Sequence, residues 1–235
     1  MRRVVNYIRV GYSSVSYAMW LLCRDIRRKP LSELVTILQK KLADDDVTFS
    51  GYAAKGRTGI EGLGLNQFSR RYIYHLLARL TEATEIGAGR TETFDRLVDR
   101  TLKNPFDIEH IWADDYEIVK DQFSTEQEFQ DWRNHVASLL LLPADVNRSL
   151  QDKPFPLKRA HYAKQNFFAA SLDSSVYEHQ PKFQQFADQY GLPYKPVELF
   201  NKAEQLARRN LIVELVEFIW SPNRLTEAAY GKYKV

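Results

Sequence analysis

Two short apolar runs constrain this chain more than any other feature: Phe106-Asp107-Ile108-Glu109-His110-Ile111-Trp112, after the turn Lys103-Asn104-Pro105, and Leu139-Leu140-Leu141-Leu142-Pro143. Phe106, Ile108, Ile111 and Trp112 are β-prone, and four leucines bounded by Ser138 and Pro143 read as a buried strand. Periodicity alone leaves a helical turn open for the leucine run. Elsewhere apolar residues recur at three- and four-residue intervals, the spacing of one helix face. The expected class is α+β but mainly α, with helical regions at both ends packed around a small β-containing centre.

Strict alternation along a strand would send Glu109 and His110 to opposite faces. They share a site only if the strand ends at Glu109 and the chain turns at His110, so a break is expected there. Downstream, Pro143-Ala144-Asp145-Val146-Asn147 reads as a helix start that would hold the Asn147 amide in a defined position. A carboxylate, a histidine and an amide held by two strands and a helix suit phosphodiester hydrolysis. That reaction needs an activated water, stabilisation of extra negative charge at phosphorus and relief of charge on the departing 3′ oxygen. Histidine, near neutral pKa, can take the water's proton. A hard cation such as Mg²⁺ prefers oxygen ligands and keeps several waters, so one carboxylate and one amide suffice to anchor it. Asp107 either orients His110 or lies in solvent.

The flanks read as helices. Val4 to Arg28 is apolar and aromatic, a buried helix with a cationic end stopped by Pro30, and Leu31 to Leu42 carries a stripe of Leu31, Leu34, Ile37, Leu38 and Leu42. Gly51 to Gly64 holds five glycines and reads as a loop. Gly51-Tyr52-Ala53-Ala54-Lys55-Gly56-Arg57-Thr58 within it copies a phosphate loop with arginine for lysine, but further glycines follow where a helix should open. Asn66 is placed to cap a helix through Glu85 with Phe68, Tyr72, Ile73, Leu76, Leu77 and Leu80 inside. Arg70 and Arg71 fall on its outer face, as a solvated surface or a phosphate-contacting one. Further helices are expected at Thr93–Thr101, Pro156–Ala170 with Leu157, Tyr162 and Phe167 in the core, Pro181–Tyr190, and Val197–Trp220 with a stripe through Leu199, Ala203, Leu206, Asn210, Val213, Val216 and Trp220.

Composition excludes more than it selects. Cys23 is the sole cysteine, which rules out an internal disulfide and a cysteine zinc ribbon. A net charge of +3 is compatible with nucleic acid without demanding it. The apolar run Tyr17 to Cys23 is far short of the ~20 residues that span a bilayer, and Asn6 and Arg9 break up any leader, so a cytoplasmic, membrane-free protein is expected.

From Phe106 to Tyr162 the chain resembles a known family. Asp107-Ile108-Glu109-His110-Ile111, the Leu139–Leu142 run, Asn147, Lys153-Pro154-Phe155, Lys158 and Tyr162 are similar to the C-terminal nuclease domain of GmrSD-type modification-dependent restriction enzymes. The flanks resemble it more loosely, Arg70-Arg71-Tyr72-Ile73 to Leu80 before the motif and Arg209 to Trp220 after it. The resemblance implies an HNH variant of the ββα-metal fold at 103–172, between helical regions 1–102 and 173–235. It implies an endonuclease or nickase in a modified-DNA or phage-defence system, with His110 as general base and Glu109 and Asn147 as ligands of Mg²⁺ or Mn²⁺. Arg70, Arg71, Arg148 and Lys153 would meet DNA, and Lys158 would either neutralise phosphate or lie solvated on its helix. Where the family commonly has Gly-Asn-Leu this chain has Ala137-Ser138-Leu139; that asparagine generally ties a loop, and serine reaches less far. The implied partners are DNA, possibly modified, and an N-terminal nucleotide-hydrolysing module not found in this sequence. A degraded module that only binds DNA or a partner subunit is the rival expectation.

Overall fold

The computed structural model describes residues 12–44 and 59–229. Helices α1 (Tyr12–Ile26) and α2 (Leu31–Asp44) come first, followed by a short turn at Ile60–Gly62, α3 (Arg70–Gly87) and α4 (Phe94–Val98). Strand β1 (Phe106–His110) leads through α5 (Glu126–Arg133) to β2 (Leu139–Pro143), and α6 (Ala144–Leu150) follows β2 directly. The remainder is α7 (Phe155–Tyr162), α8 (Phe167–Ala170), α9 (Ser175–His179), α10 (Pro181–Tyr190), α11 (Lys202–Trp220) and α12 (Asn223–Ala229). Among the described residues β1 and β2 form the one sheet, so the protein is mainly α with a small ββα centre.

The two runs pair antiparallel, with Phe106 opposite Pro143, Ile108 opposite Leu141 and His110 opposite Leu139. Leu139, Leu140, Leu141 and Leu142 are all fully buried, because helices cover both faces of the hairpin. Each leucine so buried contributes on the order of 2 kcal/mol. α3 packs on β2 and also meets α8, α10 and α11. Beyond β1, Trp112 turns into a cluster with Phe123, Phe129 and Phe200, and its Nε1 donates to the Phe200 carbonyl at 3.1 Å. That anchor fixes where the chain goes after His110.

Side-chain caps set several helix starts. Thr93, Thr125, Asn166 and Asn201 accept from the backbone N–H three residues on, at the heads of α4, α5, α8 and α11. Gly191 closes α10 in the left-handed conformation.

Several expectations require correction. β1 does not break between Glu109 and His110: the ladder runs through His110, and the Ile111 N–H still bonds the Ser138 carbonyl at 2.9 Å. α1 is not buried, since Tyr17 and Trp20 are exposed, and in α2 Leu31 is exposed while Val35 is buried. Asn66 caps the turn ahead of α3, accepting from Phe68 and Ser69, and Phe68 lies outside the core. The helix expected at Pro156–Ala170 is two, α7 and α8, and Leu157 is exposed. α11 starts at Lys202 because Asn201 caps it, leaving Leu199 ahead of the helix; Leu206 is exposed and the buried stripe is Gln205, Arg208, Leu211, Ile212, Val213, Leu215 and Val216. The first residues of the helix expected from Val4 and the phosphate-loop-like segment Gly51–Thr58 lie outside the described residues.

Candidate active site

Because the strand stays regular through His110, its side chain and that of Glu109 leave β1 on opposite faces. On one face Glu109 is buried, and its Oε1 accepts from Lys158 Nζ at 2.9 Å and from Tyr162 Oη at 2.8 Å. Lys158 and Tyr162 are four apart on α7, so one turn of helix presents both to the carboxylate. Lys158 Nζ also donates to the His110 carbonyl at 2.8 Å, tying α7 to the end of β1. Burial raises the Glu109 pKa despite the opposing pull of Lys158, Tyr162 and Arg133.

On the other face the His110 ring meets the end of α5. Asn134 Nδ2 donates to the Gln130 carbonyl at 2.8 Å, which can only accept, so Asn134 turns its Oδ1 toward His110 Nε2, 3.0 Å away. His110 is therefore protonated on Nε2 and carries its lone pair on Nδ1. Burial foremost, and the neighbouring Arg133 charge next, lower the His110 pKa to about 4, leaving the ring neutral near pH 7. Asn134 also lines a polar cleft of about 680 Å³ with Gln130, Trp132, His135, Gln205 and Arg209, which brings solvent to within one side chain of the ring.

The other expected residues are distributed around this centre. Asn147, on α6, donates from Nδ2 to the Ile108 carbonyl at 2.9 Å, binding α6 to β1 one residue from Glu109. Asp107 neither orients His110 nor stands free in solvent; it pairs with Arg100 at 3.1 Å. Lys158 is neither solvated nor at the surface, being 1% exposed. Ser138 does tie its loop: Oγ donates to the Trp132 carbonyl at 2.9 Å and accepts from Gln205 Nε2 at 2.7 Å. Arg70, Arg71 and Arg148 are exposed, while Lys153 Nζ reaches the Ser149 carbonyl. His135 is held at both ring nitrogens, by Ala137 N–H and the Glu61 carbonyl.

Sequence reading missed Arg133 and Asn134, which lie in the connection between the strands. The visible signal was the Thr125 cap, which sets α5 and so brings its last turn beside His110.

No group of three or more His, Cys, Asp or Glu side chains able to hold a metal occurs among the described residues. The expected ligands do not form such a group: Glu109 is buried with Oε1 held by Lys158 and Tyr162, on the face of β1 opposite the His110 ring, and Asn147 spends Nδ2 on the Ile108 carbonyl.

A hairpin followed at once by a helix, with a neutral histidine on one face and an anchored carboxylate on the other, defines a ββα centre. The chain belongs to the family of GmrSD restriction endonucleases, C-terminal domain, which it matches over residues 61–186, more than half its length. It is thus a nuclease domain of the restriction-endonuclease class, a hydrolase whose substrate is DNA. No curated protein and no solved structure matches it significantly. No helix among the described residues is long and apolar enough to cross a membrane.

Proposed function

We propose that the chain hydrolyses DNA phosphodiester bonds by an HNH mechanism, as the cutting part of a restriction system acting on modified or phage DNA. The observation carrying this reading is the Asn134–His110 bond, which leaves the neutral ring with a free lone pair on Nδ1. His110 Nδ1 takes a proton from water as the water oxygen bonds phosphorus; the bond to the 3′ oxygen breaks, and that oxygen takes a proton from solvent. By the resemblance Glu109 and Asn147 would be the ligands of Mg²⁺ or Mn²⁺, which would supply charge neutralisation at phosphorus and on the departing oxygen; this requires Glu109 to exchange Lys158 for the cation and the phosphate to reach both faces of the β1 end. Lys158 and Tyr162 keep the Glu109 carboxylate oriented. Arg148 and Lys153, beyond Asn147, and Arg70 and Arg71 on α3 contact the DNA backbone. An N-terminal nucleotide-hydrolysing module on another segment or subunit would gate cutting and supply recognition of the modification.

The test is incubation with supercoiled plasmid and Mg²⁺ or Mn²⁺ beside His110→Ala: cutting that disappears in the variant supports the reading. A second reading, a module that binds DNA or a partner without cutting it, draws on the burial of the Glu109 carboxylate against Lys158. It predicts no cutting by either protein, with DNA retained in a mobility-shift assay.

A further inference from the structure

One cation at the end of α5 is left unused by the proposed mechanism. Arg133 is the last residue of α5, immediately before the Asn134 that holds His110. Its guanidinium is close enough to act electrostatically on both His110 and Glu109. Its side chain is 14% exposed, yet Nε is buried with no hydrogen-bond partner. The nearest anion, Asp114 Oδ1, lies 3.7 Å from Nε and already accepts from Gln130 Nε2 at 2.8 Å. A buried guanidinium donor left unbonded is costly, and the expense is explained if an anion completes it. The fork of donors suits a planar pair of phosphate oxygens.

We propose that Arg133 contacts the non-bridging oxygens of the scissile phosphate beside His110. This rests on the nuclease reading above. Arg133 supplies positive charge from the protein on the His110 side of β1, while Lys158 serves Glu109 on the other. The rival account is structural: a cation at a helix C-terminus, favoured by the dipole and loosely paired with Asp114.

Arg133→Met keeps the aliphatic stem and removes the charge. It is expected to lower kcat on supercoiled plasmid about 10²-fold or more. It should also reduce the slope of log affinity against log salt by about 1 for a short synthetic duplex, read by fluorescence anisotropy in chelator. Asp114→Asn, which breaks the structural pair and leaves the guanidinium, should keep the wild-type slope, as should Lys120→Gln, a charge removed from an exposed pair with Glu117. Arg133→Lys keeps the charge without the fork, so the slope should return while kcat recovers only in part; it also serves if Arg133→Met fails to fold. Wild-type kcat and slope in folded Arg133→Met, or a slope lost equally in Asp114→Asn, overturns the inference. Undiminished cutting by His110→Ala would instead sink the nuclease reading of His110, and the salt slope would still decide whether Arg133 meets a phosphate.

Discussion

His110 and Asn134 form a pair in which the amide dictates the imidazole's tautomer: Asn134 Nδ2 is committed to the Gln130 carbonyl, so the ring must donate from Nε2. Asn134→Ala removes that constraint and lets the ring flip or change tautomer. Cutting should fall about 10- to 100-fold, the usual cost of losing an orienting partner. ¹⁵N NMR of the ring separates this from general damage. It should report Nε2–H in the wild type and a tautomer mixture in the variant, and an unchanged spectrum would refute the orienting role.

Glu109 and Lys158 should be coupled strongly in stability. Lys158→Met leaves a buried carboxylate without its counter-charge, which costs about 3–5 kcal/mol. The Glu109 pKa is already raised, so part of that cost is met by protonation. Lys158→Met combined with Glu109→Gln should lose less than Lys158→Met alone, since no charge is then stranded. Urea unfolding of the three variants checks this, and simple additivity would contradict the buried pair.

This pair also shows what could be read from the sequence. The hairpin was legible because Leu139–Leu142 and Phe106–Trp112 are apolar runs whose length and flanks differ from helix stripes. The helix carrying Asn147 was legible because it follows Pro143 at once. Which group meets Glu109 was not, because Lys158 lies 49 residues away and is placed by the packing of α7, not by any local pattern. Asn134 was equally hidden: at the end of an amphipathic helix it looks like any solvated amide until the hairpin brings His110 to it. The strand break expected at His110 failed for a different reason. A shared face was assumed for two residues that β1, pinned by the Leu139 pairing and the Trp112 cluster, keeps on separate faces.

Acid should destabilise the metal-free protein through His110. The unfolded imidazole binds a proton near 6.5, the folded one only near 4, so between these values the unfolded chain holds the extra proton. The contribution is complete above 6.5 and is lost as pH falls toward 4, on the order of 3 kcal/mol in all. His75 and His135, also lowered by burial, act in the same direction. In chelator, His110→Gln should flatten the fall in unfolding free energy between pH 7 and pH 4, and a slope identical to wild type would show that His110 is not buried neutral.

Ser138 stands where the resemblance leads one to expect an asparagine, and the structure indicates that introducing one will not help. Its hydroxyl already joins the Trp132 carbonyl to the Gln205 amide, in a site with no exposed surface. Gln205 Nε2 also reaches the Trp132 carbonyl at 2.6 Å, so the loop is tied twice. Ser138→Ala therefore leaves the carbonyl with one donor and should cost only about 1 kcal/mol. Ser138→Asn must place a longer amide where Gln205 on α11 stands, and overpacking of that kind costs about 1–3 kcal/mol. Thermal unfolding should rank wild type above Ser138→Ala and Ser138→Asn lowest. Gln205→Ala combined with Ser138→Asn should then recover stability, because Gln205 no longer stands against the longer amide; failure to recover would show that something other than Gln205 limits the site.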